Sequence, residues 1–161
     1  MKPRVYIETT MPSFYHEIRE EPDMVARREW TRDWWDHHRS AYEPVTSIPV
    51  IEELEAGNHP NRQACLDLIA PVVILPVADA IIEIVDTYIQ HHVMPNDPKG
   101  DALHLALASY HRCHFLLTWN CNHLANANKQ EHIRHVNTQL GLPVPILTTP
   151  LELMHEPEDN A

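Results

Sequence analysis

The sequence predicts a single α/β domain, with a mostly parallel β-sheet carrying helices on both faces. Two observations carry this. Short β-prone runs at Val5–Ile7, Pro44–Thr46, Val72–Leu75, Phe115–Thr118 and Val144–Leu147 supply about five strands. Helix-periodic segments alternate with them, in places two helices to a gap, which is the pattern of a covered parallel sheet. The 161 residues, 43% hydrophobic and 22% charged, have the size and balance of one ordinary globular domain.

Each element has a local reason. Val5-Tyr6-Ile7 is β-prone and ends at Glu8; Thr9, Thr10 and Pro12 then mark a break and a short helix. Glu21-Pro22-Asp23 opens the next helix, with Asp23 as N-cap. From Met24 to about Ala41 the pattern is helical, with Ala26, Trp30 and Trp34 on one face. After the strand at Pro44–Thr46, Ser47 caps a helix that has Pro49 in its first turn and stops at Gly57. Asn58–Pro60 is a turn, and Gln63–Ala70 another short helix. Val72–Leu75 is a continuous apolar run between prolines, the mark of a strand buried on both faces. Ala78 to about His92 is helical, with Ile81, Ile84, Val85 and Tyr88 on one side. Met94–Pro98 is a loop, and Gly100 to about Arg112 an Ala- and Leu-rich helix. Phe115–Thr118 is a second buried strand, Asn126–Leu140 a helix ending at Gly141, and Val144–Leu147 the last strand. Residues 1–150 make the domain, and residues 151–161 an acidic, frayed tail.

Composition excludes several classes. A net charge of −11 argues against binding nucleic acid through a broad basic surface. It does not exclude an enzyme that touches nucleic acid through a metal ion. Three glycines cannot build a G-x-G-x-x-G or Walker-type phosphate loop. Cys65, Cys113 and Cys121 form no C-x-x-C pair, so neither a disulfide framework nor a cysteine zinc site follows, and reduced thiols suit the cytoplasm. No secretory signal is expected at MKPRVYIETT, and prolines and acids interrupt the most apolar stretch, Leu68–Val85, too often for a membrane span. Among the 13 histidines, the adjacent pairs His37-His38 and His91-His92 diverge on a helix, and no H-E-x-x-H occurs.

In open parallel sheets, sites form at the carboxyl ends of strands. Glu8 ends the first strand there, and Asn120 follows the fourth in Thr118-Trp119-Asn120. Asp101 opens one helix and Glu53 lies in another. Three carboxylates and a carboxamide repel one another unless a divalent cation sits among them, and hard oxygen donors suit Mg²⁺ or Mn²⁺. Each residue also has a structural reading. Asp101 favours a helix dipole, Asn120 caps a turn, and Glu53 shares a solvated face with Glu52 and Glu55. Asp97 belongs to the surface. His104, one turn after Asp101, reads first as a buried histidine with one partner and second as a residue facing the site. At least one of Trp30, Trp34 and Trp35 serves the core, and a partly exposed pair among them would anchor a partner.

Four segments carry a resemblance: V-Y-I-E-T-T at 5–10, V-I-E-E-L-E-A-G at 50–57, D-A-L-H-L-A-L-A at 101–108 and L-L-T-W-N at 116–120. In order and spacing, across about residues 4–148, the chain resembles the PIN-domain nucleases, and within them the VapC-like toxins of type II toxin–antitoxin pairs. Glu8 stands where PIN domains usually have Asp, and Glu53 and Asp101 match the family's helix acids. Asn120 stands where many members have Asp, and Thr118 matches the motif's hydroxyl residue. The resemblance implies a PIN-like domain and metal-dependent hydrolysis of RNA. Glu8, Asp101 and Glu53 then hold Mg²⁺ or Mn²⁺, Glu53 or a hydroxide on the ion handles the proton, and Asn120 orients a water or the outer ligands. It also implies a cognate antitoxin bound against the early helices, and a homodimer. Two departures count against activity: Glu8 is one methylene longer, and Asn120 removes a charge. They motivate an alternative, a catalytically weakened PIN-like binding module. A different acidic-site hydrolase such as a phosphatase has only its carboxylates in favour, since Glu8-Thr9-Thr10 supplies no D-x-D nucleophile.

Overall fold

A computed structural model describes residues 1–94, 100–122 and 124–154. Five strands form one sheet: β1 (Arg4–Ile7), β2 (Glu43–Ser47), β3 (Val73–Leu75), β4 (Phe115–Leu117) and β5 (Ile146–Thr148). Their order is β3-β2-β1-β4-β5 and every pairing is parallel. Tyr6 sits beside Val45 on one side and Leu116 on the other.

Parallel strands need crossovers, and helices supply them. α1 (Thr10–Tyr15) and α2 (Pro22–Asp33) join β1 to β2. α3 (Ile48–Ala56) and α4 (Arg62–Ile69) lead to β3. α5 (Asp79–Gln90) and α6 (Asp101–Tyr110) return the chain to β4, and α7 (Ala127–Gln139) leads to β5. Neighbouring strand residues point to opposite faces. Val5, Tyr6 and Ile7 are all fully buried, so both faces of the sheet centre are covered. That is the layered architecture expected from the alternation of strands and helices.

Several local expectations are corrected. Val72–Leu75 was expected to be buried on both faces. β3 is instead an edge strand, with Val73 60% and Ile74 44% exposed. An apolar run reports β preference but not position within a sheet, and only its two ends, Val72 and Leu75, reach the core. Asp23 lies in the first turn of α2 after Pro22, with Glu21 at the cap position. Ser47 stands at the N-cap of α3 but makes no capping hydrogen bond, because its hydroxyl is turned to Tyr6. The Met24–Ala41 helix is α2 followed by a π-helical turn (Trp34–His38) and a 3₁₀ turn (Arg39–Ala41). The winding widens where adjacent Trp34 and Trp35 both enter the core, which regular helical spacing would point apart.

Asn126 caps α7 by accepting from the Asn128 amide, and Gly141 ends that helix region at φ +70°. The loop at 95–98 with Asp97, His123, and the tail from 155 onward lie outside the described residues. Among the described residues, no helix is long and apolar enough to cross a membrane.

Candidate metal centre

The strand order reverses direction between β1 and β4. From β1 the chain builds outward to β2 and β3, then returns to add β4 and β5 on the other side. At such a switch point the connections leave the sheet in opposite directions and open a crevice at the strands' carboxyl ends. Glu8 follows β1 at that place, and its amide donates to the Leu117 carbonyl at the end of β4 (3.3 Å). Thr118, Trp119 and Asn120 continue from β4. Asp101 is the first residue of α6, and Glu53 lies within α3.

The Glu8 carboxylate is buried, at 4% exposed. Its Oε2 accepts from the Thr10 amide (3.0 Å), the Thr10 hydroxyl (2.5 Å) and the Thr118 hydroxyl (2.7 Å). Both hydroxyls are themselves oriented by the backbone. The Trp119 amide donates to Thr10 Oγ1 (2.8 Å) and the Asn120 amide to Thr118 Oγ1 (3.0 Å). Each threonine hydroxyl accepts one hydrogen bond and donates its own to Glu8, so among the described residues Oε2 is held by hydroxyls and an amide. Burial raises the Glu8 pKa; the charge of His104 and these hydrogen bonds oppose it, and the net shift is upward.

Glu53 is half-buried and held from two sides. Its Oε1 meets Nε2 of His104 at 2.8 Å, and its Oε2 accepts from the Thr9 hydroxyl. His104 is 1% exposed, and its Nδ1 lies 2.7 Å from the Tyr6 hydroxyl. That hydroxyl is 2.6 Å from Ser47 Oγ. Burial of Tyr6 pushes its phenol well above the ordinary range, so it stays neutral. For His104 burial disfavours the charge. The hydrogen bond and charge of Glu53, with the charges of Glu8 and Asp101, outweigh it and raise the pKa.

Glu8, Glu53 and His104 each offer a ligand atom, all within 4.8 Å of one another. Asp101 and Asn120 meet at the same edge of the sheet: the Asn120 Nδ2 donates to both Asp101 oxygens at 3.0 Å. The structure thus brings together the four residues singled out in the sequence, though not as one equal cluster. Glu8 and Glu53 belong to the tightest set and Thr118 supports Glu8, while Asp101 is held by Asn120. Glu52 and Glu55 are exposed. His104, which the sequence reads as a buried histidine with one partner or as a residue facing the site, is both: it is buried and faces the carboxylates. The signal was its position three residues after Asp101 on one helix, which puts both on one side.

The donor set fits a divalent cation. Negative side chains converge on a small volume with an imidazole among them, no thiolate is present, and each donor is held by a second hydrogen bond. Beside this centre lies an aromatic shelf. Trp30 stacks on Trp119 at 6.1 Å and 26°, and the Arg27 guanidinium lies over both Trp119 (5.4 Å) and Phe14 (5.6 Å). Trp34 and Trp35 are in the core, so no exposed tryptophan pair is formed, and Trp30 is only half-buried.

No protein-family model matches the chain, and no curated protein matches it. Solved structures do. FitAcB from Neisseria gonorrhoeae is 14% identical, with a TM-score of 0.52, covering 92% of this chain and 99% of that one. VapBC2 from Rickettsia felis, solved bound to a DNA fragment from their promoter, is 15% identical, with a TM-score of 0.50, covering 91% and 98%. At such identities the likeness is one of fold, over nearly the full length of each chain, and it agrees with the PIN-like α/β fold expected from the sequence.

Proposed function

We propose that this protein is a metal-dependent endoribonuclease, the VapC-like toxin half of a toxin–antitoxin pair, which hydrolyses RNA phosphodiester bonds. The observation that carries the reading is the meeting of Glu8, Glu53 and the Asp101–Asn120 pair at the switch point of a PIN-type sheet. Glu8, Glu53 and Asp101 are the residues that would hold Mg²⁺ or Mn²⁺. When bound, such an ion offsets charge on the phosphate oxygens and makes water a better nucleophile. The chain's own groups do the rest. Thr10 and Thr118 keep the Glu8 carboxylate in one orientation. Glu53 accepts the proton of the attacking water, and Asn120 orients Asp101. The resemblance adds a cognate antitoxin and a homodimer as the assembly, in the cytoplasm.

Purified protein is tested on a mixed RNA pool with Mn²⁺, beside EDTA and Asp101→Asn controls. Cleavage is expected only from the wild type with the ion, with a rate loss of about 100-fold or more in the variant. Full activity in Asp101→Asn, or no cleavage by the wild type, overturns the reading.

One observation favours the second reading, a binding module of weakened activity. The Asn120 amide engages both Asp101 oxygens, where a second carboxylate would leave them to a cation. This reading expects no stoichiometric Mn²⁺ binding in a calorimetric titration.

A further inference from the structure

We propose that Nε2 of His104 is a ligand to the ion, so that the centre is a mixed nitrogen–oxygen site that takes Mn²⁺ in preference to Mg²⁺. The inference rests on the reading above that a divalent cation binds at this cluster. It goes beyond the acidic residues that the resemblance supplies.

Three observations carry it. The first is the ring's support. A histidine that binds a metal through one nitrogen is held by a hydrogen bond on the other, which sets tautomer and orientation. His104 Nδ1 has such a partner in the Tyr6 hydroxyl, which is tied in turn to Ser47, and all three side chains are buried. Nδ1 is thereby turned away and Nε2 faces the carboxylates.

The second is spacing. Two donors adjacent on an octahedral ion with bonds of about 2.1 Å lie about 3 Å apart. The 2.8 Å between His104 Nε2 and Glu53 Oε1 is close to that separation, and a ligand atom of Glu8 lies within 4.8 Å of both. For Nε2 to bind an ion it would give up the proton it shares with Glu53, which would leave to solvent.

The third is the donor set, which joins the imidazole to two carboxylates with no thiolate among them. Imidazole ligation moves preference from Mg²⁺, which takes oxygen donors almost exclusively, toward first-row transition ions. Of the two ions the sequence leaves open, that is Mn²⁺.

The test reads the ligand directly. One equivalent of Mn²⁺ is added to the full chain, and pulsed electron paramagnetic resonance looks for coupling to a ligand nitrogen. The sample is prepared with natural and with ¹⁵N-labelled histidine. Calorimetry measures Mn²⁺ and Mg²⁺ affinity for the wild type, His104→Gln and Tyr6→Phe. The expected result is a ¹⁴N signal in the wild type that becomes a ¹⁵N signal on labelling and is lost in His104→Gln. Mn²⁺ affinity is expected to fall about 10-fold or more in both variants, as for lost support of a metal ligand, while Mg²⁺ affinity falls less. Tyr6→Phe keeps the ring and its packing, so it decides the matter if His104→Gln does not fold. Mn²⁺ bound without nitrogen coupling, coupling that persists in folded His104→Gln, or unchanged Mn²⁺ affinity in Tyr6→Phe overturns the inference and leaves the metal centre standing. Absence of stoichiometric Mn²⁺ binding by the wild type overturns the metal centre itself, and this inference with it.

Discussion

Glu17 and Glu8 are both poorly exposed carboxylates, yet their pKa values move in opposite directions. Glu8 is surrounded by hydroxyls and an amide, and burial prevails. Glu17 accepts from the Arg19 side chain at 2.8 and 2.9 Å and from its amide at 3.0 Å, which lowers its pKa to about 2. A carboxylate depressed by folding adds stability that is fully present above its unfolded value of about 4.5 and is lost as pH falls through about 2. Glu17→Gln is therefore expected to be less stable than the wild type above about pH 5, with the difference closing between about pH 4.5 and 2. Urea unfolding at several pH values checks this; a difference constant with pH overturns it. At this scale the sequence showed Glu8, Glu53, Asp101 and Asn120 as candidates, because acidic residues at strand ends and helix starts lack an apolar reason to be there. It did not show Tyr6 as the partner of His104, or Ser47 as the partner of Tyr6. Those contacts join residues 98 and 41 positions apart, and no local pattern encodes them.

Strands and helices were legible to within a few residues wherever periodicity or an apolar run marked them. Their environments were less so. β3 and β4 read alike, as short apolar runs, and the structure makes one an edge and the other the neighbour of β1. The stability cost of mutation separates them. Leu116, fully buried in β4, is expected to lose about 2–5 kcal/mol on truncation to Ala. Val73→Lys on β3, at a largely exposed position, is expected to stay within about 0.5 kcal/mol. Chemical denaturation of the two variants tests the assignment; a large loss in Val73→Lys would place that strand under cover. α6 shows the other limit. Its Ala- and Leu-rich pattern identifies a buried helix, and within such a pattern a polar residue is read as an exception to packing. His104 is such an exception, directed by the helix to the same side as Asp101.

For the whole molecule, the site exists because distant segments meet. Glu8, Glu53 and His104 come from the end of β1, from α3 and from α6, so an ion bound by all three ties together elements that join only through tertiary packing. An ion that binds the folded state alone stabilises it by about 2.7 kcal/mol at 100 times its Kd. Mn²⁺ is accordingly expected to raise the unfolding temperature, EDTA to reverse the rise, and Glu8→Gln to abolish most of it. A thermal scan in which Mn²⁺ leaves the wild type unmoved would count against the centre. The sequence by itself determined the alternation of strands and helices, the parallel sheet that follows from crossover-length connections, and the acidic residues available at strand and helix ends. These depend on local propensity and on spacing along the chain. Only the tertiary structure decided which strands lie at the edge, where the order reverses, and that an imidazole stands among the carboxylates. Those depend on contacts between residues far apart in sequence, whose energies appear only once the sheet has closed around them.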